Sequence, residues 1–171
     1  MTNNSLSLLV QVASLLLGGL LAIVGGFFGE FIRVRVQKKE EIDFIKVCLI
    51  DELTEMCVLI ENITATFKKS SVVYLADLNK LRNSISNYTT HKQRIYLIGD
   101  ENIRKEIRKF YSTFQEAIAD ASTQINSLGV KALESNPTHN TVLQKMESVS
   151  TSAANLKKTL GAYKYKPFKF F

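Results

Sequence analysis

Proline occurs only twice in these 171 residues, at positions 137 and 167. Both lie outside the long periodic segments, so no proline breaks helical territory upstream of residue 137. Cysteine is equally sparse, at 48 and 57. Nine residues apart on one helix, the two would sit ~13.5 Å apart along its axis, too far for a bridge within it. They lack CxxC spacing and a neighbouring histidine, so they read as small apolar packing residues rather than zinc ligands. The two histidines, His91 and His139, lack the Glu-x-x-His spacing that di-metal bundles use. His91, flanked by Lys92 and Arg94, reads as a surface residue. There is no Gly-rich phosphate loop, no serine elbow and no HExxH. Gly18-Gly19 and Gly25-Gly26 fall inside an apolar run. The expectation is a protein that is not an enzyme and uses no cofactor or metal. No nucleic-acid module is present either, so nucleic acid is not expected as a partner.

Charge is missing altogether from Ser5 to Gly29, a run of 25 residues rich in Leu, Val, Ile, Ala, Gly and Phe. As a helix it reaches roughly 37 Å, enough to cross a ~30 Å hydrocarbon core with some tilt. A cleavable signal peptide needs a basic start, a shorter apolar stretch and small residues at the cut. Met1-Thr-Asn-Asn4 has no basic side chain, and Phe27 and Phe28 occupy the far end. The run is therefore expected to be an uncleaved transmembrane helix. Arg33, Arg35, Lys38 and Lys39 follow it and no basic residue precedes it. The positive-inside rule then puts the N-terminus outside and the rest in the cytoplasm. These four residues set topology and face the lipid headgroups. Within the span, Ser14, Gly18, Ala22 and Gly26 recur every fourth residue, with Gly25 and Gly29 as a GxxxG pair beside them. Small residues at this spacing let two helix backbones approach closely in lipid, which points to a homo-oligomer or a membrane-protein partner.

Four segments follow from these signals: a short N-terminal segment 1–4, the span 5–29, a cytoplasmic helical bundle 30–162 and a basic-aromatic tail 163–171. Much of the net charge of +6 lies just after the span and in the last fifteen residues. That suits an anionic inner leaflet. Apolar spacings of three and four predict the helices. Ile42, Ile45, Leu49, Leu53, Met56, Ile60, Ile63 and Phe67 mark one from Phe31 to Thr66 that continues the span. Asp51, Glu52 and Glu55 on it read as a solvated acidic face. Ser70 or Ser71 is expected to cap a second helix carrying Tyr74, Leu78, Leu81, Ile85 and Tyr88 as a heptad stripe. Ile95 to Ile98 reads as a short helix or packed turn.

Asp100 is expected to cap a long helix, with Glu101 favouring its positive end. Its stripe is Ile103, Ile107, Phe110, Phe114, Ile118, Ala121, Ile125 and Leu128, stopped at Gly129. Tyr111 is expected half-buried with its hydroxyl at the edge. After Pro137 a last helix runs from Thr138 to Ala162, with Val142, Met146, Val149, Ala153, Leu156, Leu160 and Tyr163 on one face. The fold expected is all-α: a transmembrane helix and an antiparallel bundle of about four helices. A coiled-coil hairpin that completes its core only in a dimer is the alternative. In the tail, Tyr163, Tyr165, Phe168, Phe170 and Phe171 interleave with Lys164, Lys166 and Lys169. That mixture suits contact with lipid headgroups or a partner, and equally packing on the bundle.

Four features together resemble small bacterial single-pass, membrane-anchored helical proteins of unassigned function. They are the Gly-rich span, the basic step Arg33-Val-Arg35-Val-Gln-Lys-Lys39, the stretch Asp51-Glu-Leu53, and the pair Phe110-Tyr111. The resemblance covers residues 8–115. It implies a cell-membrane location, the bacterial inner membrane, and carries no activity. The function expected is that of a membrane-anchored interaction or scaffold protein. The alternative is a membrane-acting toxin or defence component whose span assembles and disturbs the bilayer.

Overall fold

The computed structural model describes the backbone of residues 3–70, 73–128 and 138–165, and the side chains of 11–69, 73–123 and 141–165. It is all-helical, with no strand among the described residues. The elements are α1 (Asn3–Ser70), α2 (Leu75–Asn83), α3 (Ser86–His91), a 3-10 helix (Lys92–Leu97), α4 (Glu101–Leu128) and α5 (Thr138–Ala162). The chain divides into two compact units, Met1–Glu41 and Ile42–Phe171. Helix α1 belongs to both, and residues 31–41, where it passes from one to the other, are helical.

The first unit is an apolar helix with no core of its own. Leu15 and Phe27 are 79% and 78% exposed, and Leu16, Leu17, Leu20, Leu21 and Phe28 are open as well. An apolar surface this continuous is rare on a soluble monomer. A helix satisfies its own backbone, as hydrocarbon requires. Among the described residues, α1 is the one helix long and apolar enough to cross a membrane. Three polar side chains of this unit have local partners. Ser14 Oγ donates to the Gln11 carbonyl at 2.9 Å. Arg33 pairs with Glu30 at 3.8 Å, and the Arg35 guanidinium lies 4.2 Å from the Phe31 ring centroid.

The second unit is built around one apolar core. From α1 come Ile42, Ile45, Leu49, Leu53, Met56, Ile60 and Ile63; Phe67 packs partly against them. Leu78 and Leu81 of α2, Ile107, Phe110, Phe114 and Ile118 of α4, and Met146, Val149, Leu156 and Leu160 of α5 complete it. These are the residues that the three-and-four spacing selects. Ala153 is wholly buried, and its single methyl lets α5 lie close to its neighbours. Ile95 and Ile98 reach the same core from the 3-10 helix and its end, so the segment before Gly99 is a packed short helix.

Helix boundaries follow local chemistry in two places and depart from it in two. Asp100 Oδ1 accepts from the Asn102 and Ile103 amides at 2.9 and 3.3 Å, satisfying first-turn donors of α4. Helix α5 begins at Thr138, directly after Pro137, and ends at Ala162. The expected cap at Ser70 or Ser71 is not made. Helix α1 runs through Ser70, Ser71 lies outside the described residues, and α2 starts only at Leu75, with Tyr74 at its N-cap and no side-chain cap. Tyr74 is 52% exposed and leaves the expected stripe. The stripe also breaks at Ser84–Ile85, where α2 ends and α3 begins. Gly129 lies outside the described residues, as do the side chains of Ile125 and Leu128.

Asp100→Ala is expected to lower the unfolding free energy of the helical unit by about 1 kcal/mol, with Asp100→Ser recovering most of it. Chemical denaturation of the full chain in detergent reads this. An unchanged midpoint in the alanine variant would remove the cap from the account.

Candidate functional site

The small-residue line of the span lies on unbroken helix, so Ser14, Gly18, Ala22 and Gly26 share one face. All four are exposed. A Cβ added at Gly18, Gly25, Gly26 or Gly29 would meet nothing within 4 Å. The packing of this chain upon itself therefore does not require glycine at any of them. Beyond the span, Lys38 and Lys39 are exposed, while Arg33 and Arg35 hold the contacts described above.

The described part of the tail is tied to the fold. The Tyr163 hydroxyl accepts from the Gly99 amide at 3.1 Å, and the Tyr163 carbonyl accepts from Lys46 Nζ at 3.0 Å. Tyr163 and Tyr165 pack partly against the core, and Lys164 points outward. Lys166, Phe168, Lys169, Phe170 and Phe171 lie outside the described residues.

The most unusual polar group is Glu52, which corrects the expectation of a solvated acidic face. Asp51 and Glu55 are exposed, but Glu52 is only 2% exposed. Its Oε2 accepts from the Asn87 amide at 2.6 Å and the Tyr88 amide at 3.2 Å. In an uninterrupted helix those two N–H groups would bond the carbonyls of Asn83 and Ser84. Here they are first-turn donors of α3 without intrahelical partners, and the N-cap, Ile85, supplies no side-chain acceptor. A carboxylate from α1 caps α3 instead. The arrangement is braced from both sides. Asn87 Nδ2 donates to the Cys48 carbonyl at 3.3 Å, and Ser84 Oγ turns back to the Leu81 carbonyl at 2.8 Å.

Tyr111 closes this centre and corrects a second expectation. It is wholly buried, not half-exposed. Its ring stacks on Tyr88 with centroids 3.8 Å apart and planes 7° from parallel. Phe110 meets it edge-on at 5.1 Å. The Tyr111 hydroxyl has no partner of regular hydrogen-bond geometry, but it is electrostatically coupled to Glu52. Burial pushes the Glu52 carboxyl above its ordinary range. The Tyr111 hydroxyl and the Tyr88 and Asn87 amides oppose that shift, and Glu55 adds to it. Burial, then Glu52 itself, drives the Tyr111 phenol upward. Tyr111→Phe is expected to change stability by no more than about 1 kcal/mol, because no regular hydrogen bond is lost. It should also raise the Glu52 pKa further, which carbon-detected NMR of the carboxyl would report. A fall in that pKa would contradict the coupling.

His91 is a third departure from expectation. Its Nδ1 is buried without a partner, and its ring meets Phe44 edge-on at 5.6 Å. It is a half-buried packing residue of α3 rather than a free surface one.

Chemically, the Glu52 centre is an enclosed cap. The hydrogen bonds given above engage its carboxylate with backbone amides. Among the described residues no group of His, Cys, Asp or Glu is arranged to hold a metal ion. Cys48 and Cys57 are free and half-buried, and Cys57 Sγ lies 3.9 Å from the Ser150 carbonyl. No protein-family model, curated protein or solved structure matches the chain.

Proposed function

We propose that the chain is a membrane-anchored interaction or scaffold protein. Its apolar helix crosses the cell membrane once, with the N-terminus outside, and associates through the Ser14–Gly18–Ala22–Gly26 face with a second copy or another membrane protein. Residues 42–165 form an antiparallel cytoplasmic bundle that presents a surface to partners. The observation that carries the reading is the exposed small-residue line on an exposed apolar helix. Close backbone approach is what such a line provides in lipid, where hydrophobic driving force between helices is absent. The antiparallel arrangement is supported by the order of contacts. Going up α1, Lys46, Cys57 and Lys68 meet Tyr163, Ser150 and Glu147 in turn. Gly99 meets Tyr163, whereas Asp120 further along α4 meets Lys145 at 2.6 Å.

The test is photo-crosslinking from Gly18 in intact membranes. A crosslinked dimer or hetero-complex is expected, and a strictly monomeric chain would contradict the proposal. Membrane depolarisation on expression, abolished by deleting residues 5–29, would instead favour a bilayer-disturbing effector.

A further inference from the structure

Residues of the 3-10 helix and of the first turns of α4 line a concavity of about 380 Å³. Its polar rim carries Lys92, Gln93, Tyr96, Glu101, Arg104 and Arg108. Arg104 is half-buried, and its Nη1 donates to the Tyr96 carbonyl at 3.0 Å. Arg108 Nε donates to the Arg104 carbonyl at 3.3 Å. Those bonds fix both guanidinium groups while leaving most of their N–H donors uncommitted. The one acid on the rim, Glu101, is engaged by Lys105 at 2.9 Å. Lys92, Arg104 and Arg108 make no ion pair among the described residues. Three cations therefore share one concave surface without a carboxylate of their own, an arrangement that an anion stabilises. Arginine forks match the oxygens of a phosphate, and lysine adds a point charge. Tyr96, 68% exposed at the rim, offers an amphipathic ring of the kind that sits at headgroup level.

From this geometry we infer that the Lys92–Arg104–Arg108 concavity binds the phosphate of an anionic lipid headgroup, with Tyr96 seated in the interface beside it. The choice of lipid rests on the membrane-anchored reading. Residues 30–41 reach no more than ~40 Å even when extended. The span thus holds the second unit at high effective concentration beside the bilayer. Lys164 is a further exposed cation. It follows Tyr163, whose hydroxyl is bonded at Gly99, just past the 3-10 helix.

The chain has no tryptophan, so full-length Tyr96→Trp gives a single indole reporter on an exposed side chain. It is placed in nanodiscs of neutral phosphatidylcholine or of phosphatidylcholine with phosphatidylglycerol. The expected result is a blue-shifted emission, quenched by brominated lipid, only in the anionic discs and reversed by high salt. Lys92→Gln, which breaks no contact in the fold, should lower the docking equilibrium roughly fivefold. Adding Arg108→Gln should lower it by about the same factor again. A reporter that ignores phosphatidylglycerol while the protein co-elutes with the discs overturns the inference. So does a blue shift that survives both substitutions. Inorganic phosphate added to the detergent-solubilised chain is the second arm: a response there without one to anionic lipid overturns the lipid source. Elution apart from the discs defeats the membrane reading itself. The same reporter with added anionic vesicles then decides the inference, since a salt-sensitive shift upholds it and none overturns it.

Discussion

Glu52→Ala is expected to destabilise the helical unit by about 3 kcal/mol, and Glu52→Gln by no more than about 1 kcal/mol. The alanine variant strands the Asn87 and Tyr88 amides in a site where Glu52 is 2% exposed. Each unpaired buried donor costs roughly 1–3 kcal/mol, partly offset by the end of the carboxylate's own desolvation. It also leaves a void beside Tyr111. Glutamine keeps the volume and one carbonyl oxygen for the amides, and removes the charge that burial disfavours. Denaturant unfolding of the full chain in detergent separates the two outcomes. If alanine and glutamine prove equally mild, the cap is not holding the α2–α3 break in place.

The same residue gives stability a pH dependence of definite sign. Burial raises the folded-state pKa of Glu52 above its ordinary value of 4.5. Between those two values the native state binds more protons than the unfolded state, so unfolding free energy falls as pH rises. The contribution of Glu52 is thus fully present below 4.5 and is lost as pH climbs through the folded value. Subtracting the stability–pH curve of Glu52→Gln isolates it from the other carboxylates. The wild-type advantage should shrink with rising pH over that window, and growth would reverse the assignment.

The placement of Glu52 was legible in the sequence. It stands three residues after Leu49 and four before Met56, on the spacing that puts a residue in the core. Tyr111 stands four after Ile107 and three before Phe114, on the same pattern. Reading Glu52 as solvated gives residue type precedence over position, and for this pair position wins. The break at Ser84–Ile85 was not legible. Residues 74–88 carry a clean heptad, and what interrupts it is an acceptor more than thirty positions upstream. Such a tertiary cap leaves no local trace. The start of α4 was legible because Asp100 caps its own neighbours, and α5 runs over Thr138–Ala162 as its spacing predicts. The cationic concavity had to await the fold, since Lys92 and Arg108, sixteen positions apart, line one surface only through the tertiary arrangement.

Gly18→Leu and Gly26→Leu are expected to reduce association in the membrane by roughly tenfold to a hundredfold, the equivalent of about 1–3 kcal/mol of steric conflict at a close-packed interface. Neither should alter the melting of the helical unit. An added Cβ at either position meets nothing within 4 Å in the chain itself, and leucine favours helix and hydrocarbon more than glycine does. Any effect must then arise between molecules. Leu20→Phe is the matched control. Two residues from both Gly18 and Ala22, it adds bulk about 200° around the helix, away from the small-residue line. Crosslinking yields in membranes should fall for the two glycine variants and hold for the control. Equal loss in all three would mean that bulk anywhere disturbs the span. Equal retention would mean that the glycines serve no contact, and the partner-binding surface would then have to be sought in residues 42–165 alone.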